Sequence, residues 1–467
     1  MVAGVPASFR RRVLGLTAAA LAVRLAWVAF EPATYPVADE TMWLSWGIHT
    51  LPSPEVHFSP LALYFIFHPP LYLYFIGVLQ AAFGTVAAVK IGQSLLGASL
   101  VPALALLGRR VSGETTGIAA AAIAAFYPEF VWFSSHFWAE TLFTVLLWWA
   151  MERLAAAGDT RSPRTAAVAG LLFGLAVLTR ETVLYFIPLA ALWLAWRRAG
   201  SPAGSGFSGA GLRRAALLVA TSLLVVLPWT VRNALVYHAF VPVSTAGALN
   251  LWQGNTRLTR QQVYEEYWAV HGKIAKYQLA RRKGIEAILE RQPLWIFEKL
   301  RDEMPAYWAA HGQPIVHLER GAYDDVPRAW AFAAIAVVLA PYLAVLLLFV
   351  AGIAVLPRGR VVVLLLGFLV YYVLLHVASH GYPRYRLPSL PVLFLLAAHG
   401  WSVWRPRRRP TLQRRNLLAA AATAVVLALS VGPSLVAWVS DPWPPPWFAS
   451  SRGDVGGTTD GPGSDAR

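Results

Sequence analysis

The chain has no cysteine and few charged residues. Without cysteine, disulfide bonds and thiolate metal sites are excluded. Charged residues make up only 14% of the 467 residues, about half their share in an average soluble domain. So few charges do not cover the surface of a water-soluble globular protein, and that class is excluded as well.

Hydrophobic residues are abundant instead, at 57% of the chain. Apolar runs near or above the ~20 residues needed to cross a bilayer recur along the sequence, for example at 361–378 and 417–429 with its flanks. The formal net charge is +16, but the basic residues stand in short clusters between these runs. Such clusters mark topology and contact anionic lipids. The pattern predicts an all-α polytopic membrane protein whose partner is the membrane and not nucleic acid.

The apolar runs predict about eleven transmembrane helices, with interfacial helices between them. The run 165–196 is interrupted by Arg180 and would be ~48 Å long as one helix, so two crossings are expected there. Segment 69–84 is short and begins with two prolines, which predicts an interfacial or re-entrant helix. The predicted crossings are 13–30, 88–107, 115–127, 137–150, 165–178, 182–196, 215–231, 329–356, 361–379, 387–404 and 416–431.

The distribution of basic residues predicts the orientation. With a cytoplasmic N-terminus, the short cytoplasmic loops carry 20 Lys and Arg, whereas the short outer loops and the tail carry five. Short cytoplasmic loops are enriched in Lys and Arg. This asymmetry predicts a multi-pass protein of the inner or plasma membrane.

Four regions follow from these boundaries. An N-terminal membrane module covers 1–233 and contains a first outer loop at 31–87. Residues 234–328, called the central segment below, are expected to be extracytoplasmic and partly helical, with a helical stretch at 263–288. C-terminal membrane helices occupy 329–433. The remainder, 434–467, is rich in Pro, Gly, Ser and Asp, a composition typical of a disordered tail.

Acidic and basic side chains collect at the predicted outer helix ends. Acids with arginines at one membrane surface suit sugar transfer from a lipid phosphate, since a carboxylate accepts the proton of an acceptor hydroxyl and guanidinium groups stabilise the departing phosphate. The candidates are Asp39, Glu40, His68, His136, Glu140, Arg180, Glu181, Arg232, His380, Arg384 and Arg386.

Several candidates also have simpler interpretations. Adjacent carboxylates in a loop, such as Asp39 and Glu40, are usually solvated. Glu140 suits a helix start, and Arg232 suits a helix C-terminus, because of the helix dipole. Arg180 stands on the outer side against the positive-inside tendency, and either binds an anion or pairs with Glu181.

Arg384 and Arg386 also lie on the predicted outer side, against the positive-inside tendency. In an extended segment their alternate spacing places both side chains on one side, where they bind either a phosphate or lipid headgroups. Histidines give no zinc signal: His376 and His380 have the His-x-x-x-His spacing but lack the acid inside the pair.

The ordered motifs resemble class C glycosyltransferases. The likeness is to glycosyltransferase family 39, namely bacterial relatives of protein mannosyltransferases and aminoarabinose transferases, and it covers residues 10 to about 405. The motifs are Asp39-Glu40, His68-Pro69-Pro70-Leu71-Tyr72, Leu107-Gly108-Arg109-Arg110, Ala139-Glu140-Thr141, Leu178-Thr179-Arg180-Glu181, Pro228-Trp229-Thr230-Val231-Arg232-Asn233 and Arg384-Tyr385-Arg386-Leu387-Pro388.

The resemblance implies a polyprenyl-phosphate sugar donor and an inverting displacement, with Asp39 as general base and Glu40 beside it. The substrate-binding residues would be His68, Glu140, Arg180, Glu181, Arg232, Arg384 and Arg386. Family members often have Asp near position 140, so Glu140 is a departure. No cofactor is expected, although some class C enzymes use a divalent metal near the position of Asp39 and Glu40.

Two other functions stay open. A transporter or flippase of lipid-linked sugars predicts ionisable groups near the bilayer midplane and paired repeats, whereas these groups crowd one surface. A polymerase or ligase of surface polysaccharide shares the same layout of acids and arginines. The sequence does not specify the sugar, and the acceptor is a lipid, a glycan or a protein.

Overall fold

The computed structural model describes residues 5–31, 39–50, 66–197, 206–319, 321–323, 326–404 and 412–440. These residues are almost entirely helical. One small hairpin is present, in which β1 (Trp196–Arg197) pairs antiparallel with β2 (Gly206–Phe207). The prediction of an all-α protein is therefore confirmed.

The helices before the central segment mostly follow the apolar runs. Between α8 and α9 the chain forms a 3₁₀ helix at Glu181–Phe186. The helices are α1 (Ala7–Phe30), α2 (Asp39–Ile48), α3 (Leu71–Phe83), α4 (Ala87–Ser112), α5 (Glu114–Phe126), α6 (Pro128–Trp132), α7 (Glu140–Thr160), α8 (Pro163–Val177), α9 (Ile187–Ala195) and α10 (Gly209–Tyr237).

The central segment forms its own group of helices, and four further helices follow it. A second 3₁₀ helix, Pro383–Ser389, lies between α17 and α18. The helices are α11 (Ala246–Asn255), α12 (Arg260–Ala269), α13 (Lys273–Glu290), α14 (Trp295–Trp308), α15 (Gln313–Glu319), α16 (Arg328–Ala354), α17 (Arg360–Ser379), α18 (Leu390–Val403) and α19 (Arg414–Ser440).

Six helices within the described ranges are long and apolar enough to cross a membrane, which supports the multi-pass prediction. They are 7–30, 87–112, 209–237, 329–354, 360–379 and 414–436. Four shorter apolar helices accompany them, at 71–83, 114–126, 163–177 and 181–195. The total of eleven crossings stays a prediction.

Helices α7 and α18 form the interior of the fold. Most residues of α7 are buried, and in α18 every residue from Leu390 to Gly400 is buried. A helix that is apolar on all sides is stable when other helices surround it, and α18 contacts α5 and α16 while α7 contacts α4 and α8. The first residue of α7, Glu140, is thereby fixed at one end of the interior.

Small residues allow the closest helix contacts. A Cβ atom added at Gly108 in α4 would lie 2.8 Å from the Cα atom of Gly117 in α5. A Cβ atom added at Gly400 in α18 would lie 2.8 Å from the nitrogen atom of Gly352 in α16. Close backbone approach through small residues is typical of helices that pack in a bilayer.

The predicted first outer loop, 31–87, contains the helix α2 in addition to α3, which lies where a short helix was predicted. Three local expectations were wrong. The predicted 263–288 stretch is two helices, because Gly272 has φ +88° and interrupts the backbone. Arg232 does not end its helix, since α10 continues to Tyr237. The disordered tail was predicted to start at 434, but α19 extends to Ser440 through apolar residues; residues 441–467 lie outside the described residues.

Candidate functional site

Two arginines from remote parts of the chain converge on Glu140. The Glu140 Oε1 atom lies 2.6 Å from Nη1 of Arg180 and 3.2 Å from Nε of Arg384. The side chains are 4%, 18% and 13% exposed in the order Glu140, Arg180, Arg384. Carboxylate and guanidinium groups form strong charge-assisted hydrogen bonds when they are shielded from water. We call these three residues the arginine cluster.

Aromatic rings hold the two guanidinium groups. The Cζ atom of Arg384 lies 3.6 Å from the ring centre of Trp138, and that of Arg180 lies 5.2 Å from the ring centre of Tyr385. Arginine over an aromatic face is favourable and is stronger where water is excluded. The orientation of both arginines is therefore fixed from two sides, by a carboxylate and by rings.

The His68-Pro69-Pro70 motif lies against the turn that carries Arg180. The backbone N–H of Leu71, the first residue of α3, donates to the carbonyl of Leu178 at 2.9 Å. His68 packs with its ring centre 4.5 Å from that of Trp43 in α2. Motifs that are separate in sequence thus meet in space, as the ordered set predicts.

Glu40 is buried, with 2% exposure, and is not the solvated loop carboxylate of the simpler interpretation. Its Oε1 atom accepts the N–H of Phe137 at 3.0 Å, and its Oε2 atom lies 3.3 Å from Nε2 of His317. Burial alone would raise the pKa of Glu40, but the hydrogen bonds from His317 and Phe137 and the nearby His136 hold it below its ordinary value.

Asp39 is the first residue of α2, and its side chain lies outside the described part of the structure. The neighbouring Glu40 is bonded to Phe137, three positions before Glu140. Helix α2 is therefore anchored to the loop that leads to the arginine cluster. The role of the Asp39 carboxylate as general base therefore stays a prediction.

Arg386 points away from the arginine cluster, so the prediction that it shares one side with Arg384 was wrong. The segment is a 3₁₀ helix and not an extended strand, and at roughly 120° per residue positions i and i+2 face different directions. Arg386 is 1% exposed, donates to the carbonyl of Ala309 and lies 3.8 Å from Glu129. Its guanidinium group thus contacts the chain's own groups.

Glu181 contacts the start of α11. Its Oε2 atom accepts the hydroxyl of Ser244 at 2.9 Å, and backbone N–H groups of Ser244 and Gly247 also donate to its carboxylate. A carboxylate at a helix N-terminus satisfies free N–H groups and favours the dipole. Its observed contacts are therefore those of a helix cap.

Arg232 makes contacts different from those of Arg180 and Arg384. Its Cζ atom lies 4.6 Å from the ring centre of Trp229 and 5.3 Å from that of Tyr237, and its Nη1 donates to Asn233 at 2.9 Å. These partners all belong to α10, so the observed contacts hold Arg232 along its own helix.

The sequence analysis did not predict a set of hydrogen bonds that joins the central segment to the loop before Arg384. Glu303 of α14 accepts the N–H of Gly381 at 2.6 Å, and Lys299 donates to Glu303 at 2.9 Å and to the carbonyl of Ser379 at 3.1 Å. Burial alone would raise the pKa of Glu303, but hydrogen bonds from His380 and Lys299 lower it below its ordinary value. In the sequence, the i,i+4 spacing of Lys299 and Glu303 is the pattern that indicates an ion pair between them.

Comparison with known proteins shows that the fold is that of the class C glycosyltransferases. Residues 67–231 match the sequence model of the dolichyl-phosphate-mannose-protein mannosyltransferase family. This stretch includes His68, Glu140 and Arg180. No curated protein matches the chain by sequence.

Solved structures of the same architecture are distant in sequence. The apo oligosaccharyltransferase of Archaeoglobus fulgidus aligns over 95% of this chain and 56% of its own, with 16% identity and a TM-score of 0.51. The oligosaccharyltransferase AglB from Archaeoglobus fulgidus, in complex with an inhibitory peptide and a dolichol-phosphate, aligns over the same shares of the two chains, 95% and 56%, with 14% identity and a TM-score of 0.48. The mycobacterial arabinofuranosyltransferase AftD aligns over 91% of this chain and 28% of its own, with 17% identity and a TM-score of 0.43.

These comparisons confirm the resemblance and the class C fold predicted from the sequence, and they support the enzyme class, a glycosyltransferase. The chain spans about half the length of the oligosaccharyltransferase, 56%.

Proposed function

We propose that this protein transfers a sugar from a polyprenyl-phosphate donor to an acceptor hydroxyl at the extracytoplasmic face of the inner or plasma membrane. The observation that carries the proposal is the arginine cluster: Arg180 and Arg384 are 2.6 and 3.2 Å from one Glu140 oxygen. The match of residues 67–231 to a lipid-phosphate-sugar-dependent family supports the donor class.

In the proposed reaction the guanidinium groups of Arg180 and Arg384 hold the donor phosphate. As the bond between the anomeric carbon and the phosphate oxygen breaks, its electron pair stays on the phosphate, whose growing negative charge the arginines stabilise. Glu140 keeps both arginines in place before the donor binds. Such prior orientation avoids reorganisation during the reaction.

Asp39 acts as the general base. The acceptor oxygen attacks the anomeric carbon from the face opposite the phosphate, so the configuration inverts, and the hydroxyl proton passes to the Asp39 carboxylate. Glu40 is a positioning residue, because its bond to the N–H of Phe137 fixes α2 beside the loop before Glu140. His68, beside Trp43, lines the same region and contacts the donor.

The other predicted residues support the site indirectly. Glu181 caps α11, Arg386 holds the carbonyl of Ala309, and Arg232 stays along α10. We propose positioning roles for these three. We expect replacement of these residues to lower the stability of the fold more than it weakens binding of the transition state.

Replacing Asp39 with Asn tests the proposal. Analysis of the cell-envelope glycans with and without the gene first identifies the sugar, and membranes are then supplied with the corresponding polyprenyl-phosphate sugar and native acceptor. We expect Asp39→Asn to lower transfer about 10²–10⁴-fold, the usual contribution of a general base.

The matched control is Asp302→Asn. Asp302 is 56% exposed and pairs with the neighbouring Arg301, and we expect this variant to retain transfer. Unchanged transfer in Asp39→Asn would remove the base assignment, and an absence of transfer to any acceptor in wild-type membranes would contradict the enzyme class.

A further inference from the structure

Three arginines lie near one another at the helix ends opposite to the arginine cluster. Arg161 follows the last residue of α7, Arg214 lies in the first turns of α10, and Arg360 is the first residue of α17. The charge of each acts on the other two. We call these three residues the basic group. Helix α7 begins at Glu140 and has 21 residues, so the basic group lies ~30 Å along it from the arginine cluster, about the thickness of the hydrocarbon core of a bilayer.

Arg214 is the buried member of the basic group. It is 6% exposed, and its Nε and Nη1 atoms have no hydrogen-bond partner among the described residues. Arginine stays protonated in proteins, so Arg214 does not avoid the cost of burial by losing its charge. A buried charge is costly unless it is paired and hydrogen-bonded. An anion bound to these two nitrogen atoms would offset that cost.

The carboxylates at this end of α7 already have positive partners. Asp159 accepts from Arg110 at 2.8 Å, and Glu152 pairs with both Arg110 and Arg153. Asp159 also acts on Arg360, but its own charge is shared with Arg110. These two acids and the two arginines that bind them balance one another, so they leave the positive charge of the basic group in place.

The hairpin of β1 and β2 presents aromatic rings beside the basic group. The Nη2 atom of Arg360 donates to the carbonyls of Trp193 at 2.7 Å and Trp196 at 2.8 Å. Trp196 on β1 and Phe207 on β2 are 48% and 51% exposed, and their ring centres are 5.1 Å apart. Exposed aromatic rings at the ends of membrane helices are typical of the level at which lipid headgroups meet acyl chains. The basic group therefore lies next to a surface that suits a lipid.

We propose that the basic group binds the phosphate of an anionic phospholipid at the membrane surface opposite to the arginine cluster. Guanidinium groups bind phosphate oxygens through charge-assisted hydrogen bonds, and the exposed Arg161 leaves the group accessible from one side. Three positive charges favour a headgroup of net negative charge over a zwitterionic one. The exposed rings of Trp196 and Phe207 favour a lipid over a free phosphate ion. None of the residues assigned to sugar transfer belongs to this site, so the inference does not depend on the proposed function.

Thermal unfolding of the purified full-length chain in nanodiscs tests the inference. Discs of phosphatidylcholine alone are compared with discs that also contain phosphatidylglycerol. We expect phosphatidylglycerol to raise the thermal midpoint of wild type, because a ligand that binds only the folded state stabilises it. In phosphatidylcholine alone, Arg214→Met should be at least as stable as wild type, since it removes an unpaired buried charge. The same variant should gain much less from phosphatidylglycerol than wild type does.

Native mass spectrometry in detergent measures the affinity for phosphatidylglycerol directly. Arg214→Met should weaken binding of the tightest lipid about 10–100-fold, the usual effect of losing a hydrogen-bond partner of a charged group. Arg213→Met is the matched control, because Arg213 is the preceding residue of the same helix and is exposed. We expect this variant to weaken binding less than about fivefold, as is usual for an exposed charge. Gel filtration checks that each variant folds, and Arg214→Gln replaces Arg214→Met where that variant does not.

Inorganic phosphate distinguishes the two sources of the anion. Added to wild type in phosphatidylcholine discs at the concentration of phosphatidylglycerol that raises the thermal midpoint, it should produce a much smaller rise. A rise of equal size would overturn the assignment to a lipid. A wild-type midpoint that does not respond to phosphatidylglycerol, or equal affinities of Arg214→Met and Arg213→Met for this lipid, would overturn the site itself.

Discussion

Replacing Arg180 with alanine removes one of the two guanidinium groups that contact Glu140. Breaking a buried ion pair by removing one partner typically costs about 3–5 kcal/mol. Here Arg384 remains 3.2 Å from the same Glu140 oxygen, so Glu140 keeps a positive partner. We therefore expect the free energy of unfolding to fall by less, about 1–3 kcal/mol, the range for one lost buried hydrogen-bond partner.

The effect on transfer should be larger than the effect on stability. If Arg180 stabilises the phosphate as the sugar leaves, its loss removes one donor aimed at developing charge, which lowers the rate about 10²–10³-fold, or ~2.7–4 kcal/mol. The loss should be mainly in kcat, because the interaction is strongest in the transition state. Some transfer should remain, since Arg384 still contacts the phosphate.

Arg110→Ala is a closely matched control. Arg110 has the same side-chain exposure as Arg180, 18%, and pairs with the buried Glu152 at 3.3 Å, towards the opposite end of α7 from Glu140. Both variants should lose similar thermal stability, whereas only Arg180→Ala should lose transfer from the polyprenyl-phosphate sugar. Equal kcat/KM for the two variants, measured on folded protein in nanodiscs, would refute the phosphate role of Arg180.

Two further predictions concern the central segment. The pKa of Glu303 is lowered from its ordinary value of 4.5. Its contribution to stability is therefore complete above about pH 4.5 and is lost as the pH falls through the lower pKa of the folded state. The thermal midpoint of wild type should exceed that of Glu303→Gln at neutral pH, and the difference should shrink as the pH falls; a constant difference down to pH 3 would contradict this. A Cβ atom at Gly254 would collide with the carbonyl of Ser379, so Gly254→Ala should lower the thermal midpoint by several degrees. The control is Gly209→Ala, which should not lower it because a Cβ atom at Gly209 meets open space. Equal midpoints for the two variants would contradict the close contact at Gly254.

The sequence predicted that the reactive groups share one face, which stays a prediction; the structure brings Arg180 and Arg384 together around Glu140, and this set of contacts was not predicted. Positive-inside reasoning and the ordered motifs placed Glu140, Arg180 and Arg384 together because topology alone determines on which side a helix end lies. The direction of a side chain depends on local backbone, and so the 3₁₀ helix that turns Arg386 towards Ala309 was not predictable from alternate spacing.

A second limit concerns side chains that meet from remote elements, as Glu40, His136 and His317 do: one carboxylate oxygen and one nitrogen of each imidazole lie within 4.8 Å of one another. Metal-ligand patterns are recognised in sequence when ligands share one helix or loop. His136 and His317 stand on elements far apart in the chain, and Glu40 on a third, so no local spacing joins them. The prediction of no zinc site rested on spacing within single segments, and it stays a prediction.

The bonds from the central segment are directed at backbone atoms and at motif residues. Glu303 and Lys299 bind the backbone of Gly381 and Ser379, and Ser244 binds Glu181, the neighbour of Arg180. A hydrogen bond to a backbone group fixes the position of the main chain, whereas a hydrogen bond to a side chain can fix only the rotamer of that side chain. The segment therefore sets the positions of both turns that carry the cluster arginines, and a substitution within it that breaks these bonds would change donor binding with no direct contact to the donor.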